Sequence, residues 1–203
     1  MKDLKYDVLV NKYNHLAKEY RPQDLYIVDD NKNNFHHYKN PELKPALRTD
    51  IKIYVEKMLN DAKEAGFNII VDSGYRSYQY QHTIIADVIK KKGVDAYKVA
   101  AIPGASEHQT GLAMDIAYMR DGMYCDDVQE NDPEVKWLET NCYKYGFVER
   151  YPKNKEEITG YSYEPWHYRF VGLELAKELF TNNLTLEEYH LAKENNNNNQ
   201  LKR

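Results

Sequence analysis

Three things are scarce in these 203 residues, and each scarcity excludes something. Cysteine occurs only twice, as Cys125 and Cys142, and neither sits in a CxxC pair or near a histidine at zinc-finger spacing. The chain is therefore no cysteine-ligated metal module and no disulfide scaffold; the two read as free thiols, or as one bridge if the chain is exported. Long apolar runs are missing as well. The opening "MKDLKYDVLVNKYNHLAKEY" has no stretch fit for a signal sequence, and nothing approaches the ~18 apolar residues of a membrane span. As given, the chain reads as soluble and cytoplasmic, with the cell surface as the alternative if a leader has been removed. Nor is there a surplus of basic charge: 28 Lys and Arg against 32 Asp and Glu leave a net charge of −4. The basic residues are spread along the chain, which argues against nucleic acid as a partner.

What is present fits one domain, residues 1–193, followed by an Asn-rich tail, 194–203, whose composition cannot bury apolar surface and predicts disorder. The polar segment from Asn31 to Pro45 reads as a surface loop. "TDIKIYVEKMLNDAKEAG" places Ile51, Val55, Met58, Leu59 and Ala62 on one helical face, with Thr49 or Asp50 as N-cap and a stop at Gly66. "NIIVDS" reads as a strand. "SYQYQHTIIADVIKKKG" is a helix capped by Ser77 and ended at Gly93. "GLAMDIAYM" alternates as a strand with one face on the core, and "RDG" supplies a hairpin turn. "DPEVKWLETNCYKYG" opens with Asp132 as N-cap and Pro133 at the first helical position. "FVERY" and "WHYRFVG" read as strands, and "TLEEYHLAKE" as a short helix with Thr185 and Glu188 at capping-box spacing. Helices and strands mixed without a regular strand-helix-strand rhythm predict an α+β fold, with a small, mostly antiparallel sheet.

"SEHQTGLAMDIA" carries the chemistry. Asp115 lies on the strand face opposite the apolar residues, and His108 precedes that strand across Gly111. On this stretch alone, a loop histidine and a surface acid are the plainer reading. "YEPWHYRFVG" adds Glu164 and His167, three apart. In a flat strand they would face opposite ways, so a bend at Pro165 is needed to bring both into one cleft. With that bend His108, Asp115 and His167 become three ligands of one metal, and Glu164 stands beside it as general base. Two imidazoles and a carboxylate leave a fourth position for water, the layout of a catalytic zinc site. Zinc lowers the pKa of such a water from near 15.7 to about 7, and a free glutamate can take its proton and pass it to the leaving amine. His36 and His37 have no carboxylate at ligand spacing, and "CDDVQEND" lacks the glycine and final glutamate of an EF-hand.

"SEHQTGLAMD", "EPWHYR" and the upstream "SGYRSYQYQ" together resemble the D-alanyl-D-alanine carboxypeptidases of the VanY and VanXY type, within the wider lysostaphin and hedgehog-like zinc peptidase fold. The likeness runs from about Leu9 to Phe180. It implies one Zn2+ per chain on His108, Asp115 and His167, with Glu164 as base. The substrate would be a peptidoglycan stem peptide or a D-Ala-D-Ala-containing precursor, with the free dipeptide as a second substrate. It further implies that Arg76, Gln81 and Ser106 bind substrate. Arg76 suits either of two tasks, gripping the terminal carboxylate with its fork or stabilising the oxyanion of the transition state. Trp166 is a candidate wall for the D-alanine methyl pocket, with core packing as its alternative. The resemblance leaves open an L,D-carboxypeptidase or endopeptidase with the same machinery, and a non-catalytic wall-binding module that keeps the zinc. It also leaves open whether the role is wall trimming or glycopeptide resistance.

Overall fold

The computed structural model describes residues 3–28 and 44–201. The loop expected from Asn31 to Pro45, with His36 and His37, lies almost wholly outside them. In chain order the elements are β1 (Leu25–Ile27), β2 (Ala46–Arg48), α1 (Lys52–Glu64), β3 (Asn68–Ser73), α2 (Tyr78–Lys92), α3 (Ala96–Val99), β4 (Ala113–Arg120), β5 (Met123–Cys125), α4 (Pro133–Asn141), β6 (Phe147–Glu149), α5 (Glu156–Thr159), β7 (His167–Phe170), α6 (Leu173–Asn182) and α7 (Leu186–Leu201). β1 and β2 form a small ribbon, and the main sheet runs β3-β4-β7-β6 with β5 pairing the far end of β4. Each of these pairings is antiparallel. The fold is α+β, as expected.

α1 packs on this sheet because Val55, Met58 and Ala62 recur at helical spacing and are fully buried, as is Ile51 before them. From the sheet, Leu112, Met114, Phe147, Tyr168 and Phe170 meet them in one core. Burying each such aliphatic or aromatic side chain contributes roughly 1.5–3 kcal/mol, so this layer is the platform that everything else is mounted on. A smaller cluster of Val171, Ala176, Leu179 and Leu186 fastens α6 and α7 to the rest.

Of two expected helix caps, one is absent and the other stands in place without a side-chain bond to its helix. No side chain caps the turn before α1: the Asp50 carboxylate is held instead by Arg48 and by the Tyr6 hydroxyl. Asp132 does precede α4, with Pro133 at the first turn, yet its Oδ2 accepts from the Gln129 amide at 2.7 Å and from the Tyr118 hydroxyl, and Arg120 lies at 3.2 Å from its Oδ1. In both cases a charged or phenolic partner outcompetes the helix's own N–H groups. The Asn run lies within the last helix. α7 continues through it to Leu201, started by a reciprocal cap in which Thr185 N donates to Glu188 and Glu188 N donates to Thr185 Oγ1. From Leu191 to Asn198 its residues are exposed, and Lys193 among them reaches Asp7 at 3.4 Å. Cys125 and Cys142 are both free thiols. Among the described residues no helix is long and apolar enough to cross a membrane.

Candidate active site

Three local devices deliver the metal-ligand candidates to one point. The first is the end of β3, where Gly74 passes so close to Ala46 that a Cβ would sit 2.3 Å from the Ala46 carbonyl oxygen. Glycine at this position lets the Gly74 carbonyl accept a hydrogen bond from His108 Nδ1 at 2.6 Å. With Nδ1 donating, the lone pair of Nε2 points inward. The second is a single 3-10 turn, Glu107–Thr110, closed by Gly111 at φ +69°; it seats His108 just before β4 carries Asp115 past it. The third is the turn Glu164–His167, closed by the His167 amide donating to the Glu164 carbonyl at 3.2 Å, with Pro165 at its second position. This is the bend expected at Pro165. It starts β7 at His167, whose cross-strand partner is Asp115.

The result is a compact triangle. His108 Nε2 lies 3.3 Å from His167 Nδ1 and 3.3 Å from Asp115 Oδ1, and His167 Nδ1 lies 2.9 Å from the same oxygen. A tetrahedral zinc with bonds near 2.0–2.1 Å holds its ligand atoms about 3.3 Å apart, so these three atoms fit the ion with little adjustment. Among the described residues they form the one cluster of this kind.

The charges are tuned by burial and by one another. Burial pushes the His108 imidazole down to about 4, and Arg76 adds to it. Burial opposes charge on His167 too, but the carboxylates of Asp115 and Glu107 overcome this and hold it up at about 9. For Asp115, burial is outweighed by His108, His167 and Arg76, which keep it well below the usual carboxylate range. Burial lifts Glu164 to about 7. Neutral His108 and ionised Asp115 are the forms a divalent cation requires, and a glutamate near 7 is poised to exchange protons at neutral pH.

Beside the triangle opens a cleft of about 120 Å3, lined by Arg76, Gln81, Ser106, His108, Glu164 and His167 on its polar side and by Ile84, Val88 and Val99 on its apolar side. Several polar atoms here are buried and without a partner. Arg76 Nη2 stands 3.6 Å from Asp115 while its Nε is free, and Gln81 uses its amide NH2 on the Ala101 carbonyl at 2.7 Å while its Oε1 is unpaired. Unpaired buried donors and acceptors facing a cleft are groups waiting for a ligand. Trp166 is not among the lining residues; its ring packs against the main core. Because it occupies a turn position rather than a strand position, strand alternation does not govern where it points. The structure adds Tyr151, whose ring lies 4.8 Å from that of His167, and Tyr161 to the cleft wall, and places Glu107 beneath His167.

The family of D-alanyl-D-alanine carboxypeptidases described by the VanY model matches residues 44–173, which takes in all of these groups. The chain belongs to the VanY family. A curated relative, the putative carboxypeptidase YodJ of Bacillus subtilis, is 43% identical over 182 residues, 89% of this chain and 65% of its own length. The chain spans less than two thirds of the length of the first curated relatives it matches. Among solved structures, the LD-carboxypeptidase LdcB is 43% identical with a TM-score of 0.79, covering 90% of this chain and 84% of its own. A zinc(II) complex of a variant VanY D,D-pentapeptidase is 33% identical with a TM-score of 0.75, covering 91% and 98%. The family's fold is thus shared along nearly the whole chain, and the donor set found here suits the ion present in that relative.

Proposed function

We propose that this chain is a zinc-dependent D,D-carboxypeptidase that removes the terminal D-alanine from peptidoglycan stem peptides or their precursors. One observation carries the reading: three ligand atoms of His108, Asp115 and His167 converge within 3.3 Å, with Glu164 beside them in a cleft walled by Arg76, Gln81 and Ser106. Held by those three atoms, zinc supplies an acidified water and a polarised carbonyl. Glu164 takes a proton on its carboxylate and returns it to the amine that leaves as D-alanine. Its burial serves this task, because a base near 7 accepts and releases a proton with similar ease. Arg76, partly engaged with Asp115 and with a free Nε, binds the substrate's terminal carboxylate or the developing oxyanion. Gln81 Oε1 accepts an N–H from the bound peptide. Ser106, buried at the start of the turn that carries His108, closes the same wall.

A second reading, removal of D-alanine from the tetrapeptide as an L,D-carboxypeptidase, is favoured by the likeness to LdcB. The test is release of D-alanine from the pentapeptide, the tetrapeptide and the free D-Ala-D-Ala dipeptide, each with chelator and with zinc restored. Chelator-sensitive cleavage of the pentapeptide supports the first reading and cleavage of the tetrapeptide alone the second. Zinc uptake without hydrolysis of any of the three overturns both and leaves a wall-binding module.

A further inference from the structure

Glu107 is 1% exposed and carries a charge the mechanism does not use. Its Oε1 receives both Arg150 Nε at 2.8 Å and Arg169 Nη1 at 2.7 Å, and these two guanidinium groups are themselves buried. Arg150 reaches on to Glu187 of α7 through two bonds of 2.8 and 2.6 Å, and Asn11 donates to that same Glu187 at 3.1 Å. Arg169 donates to the carbonyls of Tyr6 at 2.9 Å and Val8 at 2.8 Å. Two carboxylates and two guanidinium groups balance, and both ends of the chain are tied into the set.

A buried ion network of this kind is weak evidence for stability, because well-packed apolar side chains would serve as well. What sets this one apart is the atom it leaves open. Both arginines take Oε1, while Oε2 is buried, has no hydrogen-bond partner, and lies 3.5 Å from His167 Nε2, which is equally buried and unpaired. The arginines thus aim the carboxylate at the ring nitrogen of His167 that faces away from Asp115 and His108. A shift of about half an ångström makes the hydrogen bond. His108 already has the equivalent support, from the Gly74 carbonyl.

We propose that Glu107 is a positioning residue that holds the Nε2 proton of His167, and that Arg150 with Glu187, and Arg169 with the Tyr6 and Val8 carbonyls, lock it there. The two chain ends, remote from the cleft in sequence, are then part of the support of a metal ligand. A carboxylate behind a ligating imidazole fixes its tautomer and raises its basicity, and losing such a partner typically lowers metal affinity about 10- to 100-fold. The inference rests on His167 being a ligand through Nδ1.

The first test needs no variant. In the zinc-loaded full chain, long-range 1H–15N correlation spectra are expected to show His167 protonated at Nε2, with a proton that exchanges slowly with water. A His167 ring coordinated through Nε2, or a proton lost at once to solvent, overturns the proposal. A chain that takes up no zinc overturns it together with the proposed function, whereas normal zinc uptake with the wrong tautomer overturns this inference alone. In Glu107→Gln the zinc dissociation constant, from chelator competition at a temperature where the protein is folded, is expected to rise about 10- to 100-fold. A purely structural Glu107 would lower the melting temperature of the zinc-free protein and leave zinc affinity unchanged, which is the overturning result. Glu187→Gln at the far end of the network is expected to speed exchange of the His167 Nε2 proton; unchanged exchange overturns the role given to α7.

Discussion

Among the described residues, burial pushes two glutamates, the buried Glu164 and the half-buried Glu149, to about 7, and only Glu164 stands in the cleft that holds the metal-ligand candidates. Glu164 faces His167, Asp115 and Arg76 across that cleft of about 120 Å3. Glu149 lines a larger cavity, about 200 Å3, between the turn Cys142–Tyr145 and α6, with a buried Oε1 that has no hydrogen-bond partner. Its electrostatic neighbours are the acids Glu139 and Glu130, the cation Lys136 and the phenol of Tyr163. By cavity size alone the second place would be chosen. The difference teaches that a perturbed acid in a hollow is a common product of burial, whereas ligand atoms converging on one point are not.

The sharpest way to break that comparison is to treat both acids alike. Glu164→Gln is expected to lower turnover on the wall peptide by about 10^2- to 10^4-fold while zinc is retained, and Glu149→Gln to leave turnover within about two-fold; D-alanine release and metal content are measured on both. Equal losses would mean that the cavity at Glu149 belongs to the reaction. Next in size, Arg76→Lys keeps the charge and removes the fork, and kcat/KM is expected to fall about 10- to 100-fold. A rise in KM with kcat kept assigns Arg76 to the terminal carboxylate, and a fall in kcat with KM kept assigns it to the oxyanion.

Glu149 has its own signature, in stability rather than rate. Its folded pKa of about 7 lies above the ordinary 4.5, so the folded state prefers the protonated acid. The stability this contributes is complete below about pH 4.5 and is lost as pH rises through 7. Glu149→Gln removes the titration. Relative to the parent it is expected to gain on the order of 1–3 kcal/mol between pH 5 and pH 8, read from denaturant midpoints at the two values. An advantage that is constant with pH would show that Glu149 is not buried as described. Smallest, Thr185→Ala removes one half of the α7 capping box and is expected to cost about 1 kcal/mol, with zinc uptake preserved.

The parts of this account that were legible in the sequence are those decided within a few residues. Ser77 caps α2 with its hydroxyl 3.1 Å from the Tyr80 amide, Gly93 ends that helix, and the Pro165 turn brings Glu164 and His167 together because proline and chain reversal are local matters. The three residues whose ligand atoms converge belong to two short motifs, so their grouping is legible as well. The cap expected at Asp50 does not form, and Asp132, the N-cap residue as expected, makes no side-chain cap hydrogen bond, because their carboxylates answer to partners that helix rules do not include, such as Tyr6 and Tyr118. The first turn of α6 follows Gly172, which offers no capping side chain, and the helix passed unnoticed although Ala176 and Leu179 mark its buried face. Glu107 is hidden in the sequence for a different reason. Its arginine partners lie 43 and 62 residues away, and nothing local beyond its place beside His108, a candidate ligand, points to them.

The proposed function divides the labour: His108, Asp115 and His167 hold the ion, and Glu164 does not. Zinc content per chain, measured on Asp115→Ala and Glu164→Gln purified side by side with the parent, tests it most directly. One zinc is expected in the parent and in Glu164→Gln, and a small fraction of one in Asp115→Ala. Zinc lost from Glu164→Gln, or retained in full by Asp115→Ala, would contradict it.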